Sequence, residues 1–293
     1  MRSSEEIFNL IIAVAQKDER IRAVILNGSR ANPNLEQDRF SDFDIVYIVT
    51  ELESFTNDHD WIDVFGEKLI VQMPDQMIIP APSDTGTDKI SFGYLMLLKD
   101  GNRIDLTLFP LAGIKDHFRP GSLNTVLLDK DNQFSSLPPA SDGDFVVKRP
   151  TEKEFTDCCN EFWWVSTYIA KGLWRKEITY AKYMMEKPVR DMFMQMLEWY
   201  IGMQTDFTVS VGRNGKYLEK YIEPDLWKRI LLTYPDAEIR NIWKSLFLMT
   251  DIFSETAQHI AGKINCKYNK TEAENVSAYL YKIYNGYIDG ESS

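Results

Sequence analysis

The sequence predicts an α+β protein: a mixed sheet with flanking helices in the first half, followed by a region of helices alone. Three observations carry this. Short Val- and Ile-rich runs bounded by turn residues recur up to residue 109. After residue 150 they give way to long stretches with helical spacing. Between them lies the best linker candidate, Pro138-Pro139 and Ser141-Asp142-Gly143. The expected division is a first domain over residues 1–140 and an all-helical second domain over 150–293.

Each element has its own warrant. Ser3-x-x-Glu6 is a capping box, and Ile7, Leu10, Ile11 and Val14 follow at helical spacing, so a helix is expected over 4–17. Ile21 to Leu26 reads as a strand, then Gly28-Ser29-Arg30 as a turn and Asn32-Pro33-Asn34 as an irregular loop. Asp42-Phe43-Asp44 opens a second strand ending at Val49. Phe55, Trp61, Ile62 and Phe65 suggest a helix over 53–65 under the sheet. Lys68 to Met73 reads as a third strand and 74–89 as loop, with Pro74, Pro80, Pro82 and Gly86. Ser91–Leu98 and Asn102–Phe109 form a hairpin around Lys99-Asp100-Gly101. Leu123–Leu128 is a further apolar stretch. Thr151-x-x-Glu154 starts a long helix, and others are expected at about 189–203, 224–233, 236–262 and 272–286. Gly212-Arg213-Asn214-Gly215-Lys216 reads as a helix connector.

Bulk properties bound the function. Of 293 residues 44% are hydrophobic and 26% charged, an ordinary globular balance. No run of about 18 apolar residues exists to span a membrane, and MRSSEEIFNL does not resemble a signal peptide. Three cysteines, two of them adjacent (Cys158, Cys159, Cys266), fit a reducing cytoplasm better than a disulfide framework. The net charge of −11 argues against a long nucleic-acid partner. Residues 1–150 hold 15 basic and 24 acidic residues, a balance that attracts a polycationic small molecule.

The chemistry concentrates in residues 25–49. Residues i and i+2 of a strand share a side, so Asp42 and Asp44 present two carboxylates together while Phe43 turns into the core. Two such charges about 4 Å apart repel by roughly 4 kcal/mol at an effective dielectric near 20. A cation removes that cost, and Mg²⁺ usually takes one or two carboxylates plus substrate phosphates. Gly28 lets the backbone approach a phosphate, while Ser29 and Arg30 offer donors to its oxygens. Asp105 is an acid inside an otherwise apolar strand, sharing a face with Arg103 and Thr107. On the long helix Phe155, Cys159, Phe162, Ser166, Ile169 and Leu173 make a core face. Asp157, Glu161, Trp164, Tyr168, Lys171 and Arg175 make the opposite face. Lys171 could meet a triphosphate oxygen, Glu161 a substrate amine or hydroxyl, and Trp164 and Tyr168 a cation or a base.

A Gly-Ser after one strand and Asp-x-Asp on the next resembles the nucleotidyltransferase superfamily signature. The likeness sharpens over DERIRAVILNGSRANPN, SDFDIVYIVT, DGNRIDLTLFPL, VLLDKD, KRPTEKEFTDCCNEFWWVSTYIAKGLWRKEI and NIWKSLF. These resemble the bacterial aminoglycoside 6-adenylyltransferases, or streptomycin adenylyltransferases. The resemblance implies a nucleotidyltransferase-fold first domain and a helical domain that contributes to acceptor binding. It also implies transfer of AMP from ATP to a streptomycin hydroxyl with Mg²⁺. Carried over, Asp42 and Asp44 would be metal ligands, and Asp105 the third acid, as base or second metal ligand. Ser29 and Arg30 would touch the triphosphate. The chain departs from the family pattern at Asn27, where Glu is expected, at Tyr183-Met184, where Asp-His is expected, at Pro188, and at Gly215, where an aromatic is expected. These departures leave the acceptor open: another antibiotic, a protein or a tRNA end are the alternatives. A non-catalytic nucleotide-binding module would usually lack one of the three acids.

Overall fold

The computed structural model describes residues 1–79, 90–264 and 266–291. Pro80, Pro82 and Gly86 of the expected loop lie outside these. The chain divides into two compact units, Met1–Asp144 and Phe145–Ser293.

The first unit is built on a six-stranded mixed sheet: β1 (Ile21–Asn27), β2 (Phe43–Val49), β3 (Lys68–Gln72), β4 (Phe92–Leu98), β5 (Arg103–Pro110) and β6 (Asn124–Asp129). Its order is β3-β4-β5-β2-β1-β6, and only β2 and β5 run parallel. Helix α1 (Ser4–Lys17) starts at the expected capping box, with Ser3 and Glu6 bonded reciprocally. It buries Ile7, Ile11 and Ala15 against the sheet face carrying Phe43, Tyr47 and Val49. Alternation turns Val46 and Ile48 to the other face, onto Ala23, Ile25, Phe109 and Phe134. Each fully buried Phe or Ile contributes roughly 1.5–3 kcal/mol.

The expected helix over 53–65 is instead two short pieces, a single turn at Glu53–Thr56 and a 3-10 segment at His59–Phe65. Asp58 separates them with extended backbone, its side chain accepting from the Asp60 amide at 3.0 Å. An Asp that can bond its own following backbone competes with a continuous helix.

The second unit is helical throughout: α2 (Glu152–Trp174), α3 (Ile178–Met184), α4 (Arg190–Gln204), α5 (Pro224–Leu231), α6 (Ile239–Ile264) and α7 (Lys270–Glu291). The two faces read on the long helix hold. Phe155, Cys159, Phe162, Ser166, Ile169 and Leu173 are buried, and Phe162 stacks on Phe253 with ring centroids 3.7 Å apart. Trp243 and Phe253 are fully buried and Trp199 nearly so, as expected of packing aromatics. Pro188, expected to interrupt the helix, does not end it. The chain passes through a π-helical turn at Met185–Val189, where the Arg190 amide reaches back to the Met185 carbonyl. Proline lacks an N–H and crowds the preceding turn, and the wider turn accommodates it.

Candidate active site

Register brings the functional residues into one row across the sheet. Asp44 on β2 stands opposite Asp105 on β5 and opposite Asn27 on β1. Asn27 in turn stands opposite Asn124 on β6. Directly opposed residues share a face, so two acids and two carboxamides line up at the ends of four neighbouring strands. Asp42 lies one residue before β2, 3.6 Å from the Arg103 guanidinium. Phe43 between the acids is fully buried, as its alternation required.

Gly28 has φ +71°, and any Cβ there would overlap the Asp44 carboxylate. This position therefore needs glycine twice over, for its left-handed backbone and for the approach to Asp44. Residues Gly28–Ala31 form a 3-10 turn. The Ser29 carbonyl accepts from Gln37 Nε2 at 2.7 Å, which holds the loop after the turn.

The electrostatics single out Asp44. Burial, then the charges of Asp105 and Asp42, push its pKa up to about 6 against the pull of Arg103 and Arg30. Asp42 is raised too, chiefly by burial, with Arg103 opposing. Asp105 is gripped at both oxygens by Arg103, Nε at 2.7 Å and Nη2 at 2.6 Å. Sequence reading placed Arg103 on the face of Asp105 without giving it a role; spacing i, i+2 on a strand was the signal. Arg30 is a second surprise. Its guanidinium lies 3.9 Å above the Phe43 ring and donates to the Ser41 and Asp42 carbonyls at 2.7–3.1 Å. It braces the backbone that presents Asp42.

Among the described residues no three His, Cys, Asp or Glu side chains converge closely enough to cage a metal by themselves. Mg²⁺ does not demand such a cage, because it keeps waters and takes phosphate oxygens. A buried carboxylate short of positive charge, beside a second acid, suits it.

The other candidates lie on the outer face of α2, within the second unit. Trp164 is 61% exposed and its Nε1 donates to the Tyr168 hydroxyl at 2.7 Å. Lys171 Nζ sits 5.5 Å from the Tyr168 ring centroid. Glu161 is exposed one turn earlier. Glu161 and Trp164 are exposed, while Tyr168 and Lys171 on the same side of the helix are half-buried.

An acid pair at a strand start, a third acid on the parallel neighbour and a glycine turn against them define the class: a nucleotidyltransferase, an enzyme that uses a nucleotide co-substrate. Comparison with known proteins narrows it. The family model described as streptomycin adenylyltransferase matches residues 1–283, and the chain belongs to that family. It is 39% identical over 282 residues to the aminoglycoside 6-adenylyltransferase of Campylobacter jejuni, covering 96% of each chain. It is 38% identical to that of Bacillus subtilis (strain 168), covering 97% of this chain and 99% of the relative. A crystal structure of an aminoglycoside 6-adenyltransferase from Bacillus subtilis matches at 34% identity, covering 97% of this chain and 99% of that one, with a TM-score of 0.47. No helix among the described residues is long and apolar enough to cross a membrane.

Proposed function

We propose that the protein transfers AMP from ATP to a hydroxyl of streptomycin or a closely similar aminoglycoside, releasing pyrophosphate. The observation that carries this is the row of acids at the sheet end, with Gly28 against Asp44 and Asp44 short of positive charge. The identity to aminoglycoside 6-adenylyltransferases over nearly the whole chain supports the acceptor.

Asp42 and Asp44 would hold Mg²⁺ against the triphosphate. The ion, when bound, supplies charge neutralisation at the phosphates. The left-handed turn at Gly28 admits a phosphate close to the backbone, and Ser29 offers it a hydroxyl donor. Arg30 fixes the Ser41–Asp42 backbone, so the Asp42 carboxylate is held in place before substrate arrives. Asp105 accepts the proton of the attacking hydroxyl, for which Arg103 must release one of its oxygens. Within the helical unit, α2 offers Lys171 to an anionic oxygen, Glu161 to an amine or hydroxyl, and Trp164 with Tyr168 to a cationic or planar group. The acidic first half suits a cationic acceptor, and a cytoplasmic setting suits ATP and free thiols.

The test is pyrophosphate release from ATP and Mg²⁺ with and without streptomycin, with mass analysis of the product. Release that requires streptomycin, and an adduct heavier by one AMP, is the expected result. Transfer at the wild-type rate by Asp42→Asn would refute the assignment of the acids.

A further inference from the structure

We propose that a cavity of about 420 Å³ beside Glu198, wholly within the helical unit, receives a guanidinium or ammonium group of the acceptor. Glu198 is the carboxylate that pairs with it. The inference rests on the aminoglycoside reading above and names the side chain that recognises the cation.

Three carboxylates line the cavity, Glu186, Asp191 and Glu198, together with Asn214 and Tyr234. Two cations line it as well: Lys187 is ion-paired, while Arg190 is held by neutral groups and keeps a buried Nε without a hydrogen-bond partner among the described residues. Lys187 lies 3.6 Å from Asp191. Arg190 is 6% exposed, donates to the Thr233 hydroxyl at 2.7 Å and carbonyl at 2.6 Å, and lies 3.8 Å from the Tyr234 ring centroid. Glu186 is paired with Lys182 at 2.5 Å. Glu198 differs from the other two acids. Among the described residues its one side-chain bond is a long one, from Gln195 Nε2 at 3.5 Å to Oε2. Burial pushes its pKa up, and no neighbouring cation offsets the shift. A half-buried carboxylate without a counter-charge is costly, and a forked guanidinium offers the strongest remedy.

The backbone around the cavity is irregular in two places, both of which the sequence flagged as unusual. In an unbroken α-helix the twelve residues from Glu186 to Glu198 would turn Glu198 about 120° away from Glu186. The π-helical turn at Met185–Val189 fits an extra residue into one revolution, which cancels much of that drift and keeps both acids on one wall. Such turns concentrate at functional sites. Opposite, Asn214 adopts φ 55°, ψ 28° between Gly212 and Gly215, which are also left-handed. Asparagine tolerates this left-handed backbone better than other side chains, so the turn holds Asn214 at the cavity wall at small cost. A second cavity of about 530 Å³ also reaches Glu198, but Lys148, Arg149 and Arg213 line it. A cationic group therefore favours the acid-lined side.

The experiment compares wild type with Glu198→Gln, which keeps shape and removes charge, and with Glu198→Asp, which keeps charge on a shorter arm. Streptomycin and agmatine, a small guanidino amine, are each titrated calorimetrically, and steady-state kinetics are run with ATP and streptomycin. We expect streptomycin affinity and KM to worsen at least tenfold in Glu198→Gln. KM for ATP and the melting temperature should be no worse than wild type, and Glu198→Asp should recover part of the loss. Equal binding of both cations by wild type and Glu198→Gln overturns the inference, and so does a wild type that binds neither. A wild type that fails to adenylylate streptomycin, yet binds agmatine in a Glu198-dependent way, overturns the acceptor assignment and supports the cation pocket.

Discussion

Replacing Asp44 with Asn should make the free protein more stable while it abolishes transfer. Asp44 is raised from 3.8 to about 6, a shift of about two units at about 1.4 kcal/mol each. That sets an upper bound of about 3 kcal/mol on the cost of holding the carboxylate ionised in the fold. The site is partly open to solvent, and screening lowers the figure to roughly 1–2 kcal/mol. The pH dependence fixes the sign. Well below pH 4, the group is protonated in both folded and unfolded chains and nothing is lost. Between about 4 and 6 the folded protein keeps a proton that the unfolded chain releases, so raising the pH destabilises the fold. Above 6 the penalty is complete and constant. Asp44→Asn should therefore gain its full stability at pH 7.5 and about half of it at pH 5.0. Urea unfolding followed by circular dichroism measures this, and transfer by the same preparation should fall by roughly 10³-fold or more. Stability at pH 7.5 equal to or below wild type would refute the reasoning, as would an equal gain at both pH values.

Other perturbations test neighbouring parts of the argument. Gly28→Ala forces a Cβ into the Asp44 carboxylate at φ +71°; a loss of about 1–3 kcal/mol in urea unfolding, with activity abolished, is expected. Arg30→Lys cannot keep the fork onto the Ser41 and Asp42 carbonyls; kcat/KM should fall about 10- to 100-fold with a modest loss in melting temperature. Phe253→Ala removes the ring stacked on Phe162 in the helical core and should cost about 3–5 kcal/mol, read from the denaturation midpoint. Burial pushes the Cys158 thiol up to about 12 and raises Cys159 further; a disulfide reagent at pH 8 should modify Cys266 first and the adjacent pair only after denaturation.

What was legible in the sequence follows from what local pattern can encode. The period-2 alternation around Phe43 and Ile104 determined which residues face the core, and the structure buries both. Both capping boxes formed, because Ser3–Glu6 and Thr151–Glu154 are closed by residues three apart. Pairings between distant strands had no such signal. Nothing local says that Asn27 stands opposite Asp44, or that β2 and β5 run parallel, since register is set by sheet assembly. That Arg30 also donates to carbonyls eleven and twelve residues away, and to the Ser4 hydroxyl, has no sign in its sequence neighbours. Glu198 passed unnoticed among Met196, Leu197, Trp199 and Ile201, all of which are buried. An acid inside such a run was the available sign.

The charges of this protein fall into two physical kinds, and the distinction separates structure from function. Asp131 is held below the usual carboxylate range by the Arg22 guanidinium, and Asp100 is held well below it by bonds from Arg2 and Asn102. Such groups find their partners within the fold and stabilise it. Asp44 and Glu198 do not: burial raises both, and the surroundings leave each short of positive charge. Retaining an uncompensated carboxylate lowers folding stability, and a neutral isostere at either place would remove the cost. The compensating charge must then come with the ligands. On the proposed reading, it would be the cation that accompanies a triphosphate at Asp44 and the acceptor's own positive group at Glu198. Joint saturation with Mg²⁺, a non-hydrolysable ATP analogue and streptomycin should therefore raise the melting temperature of wild type more than that of either isostere. An equal rise in all three proteins would show that neither carboxylate meets its counter-charge in the ligands.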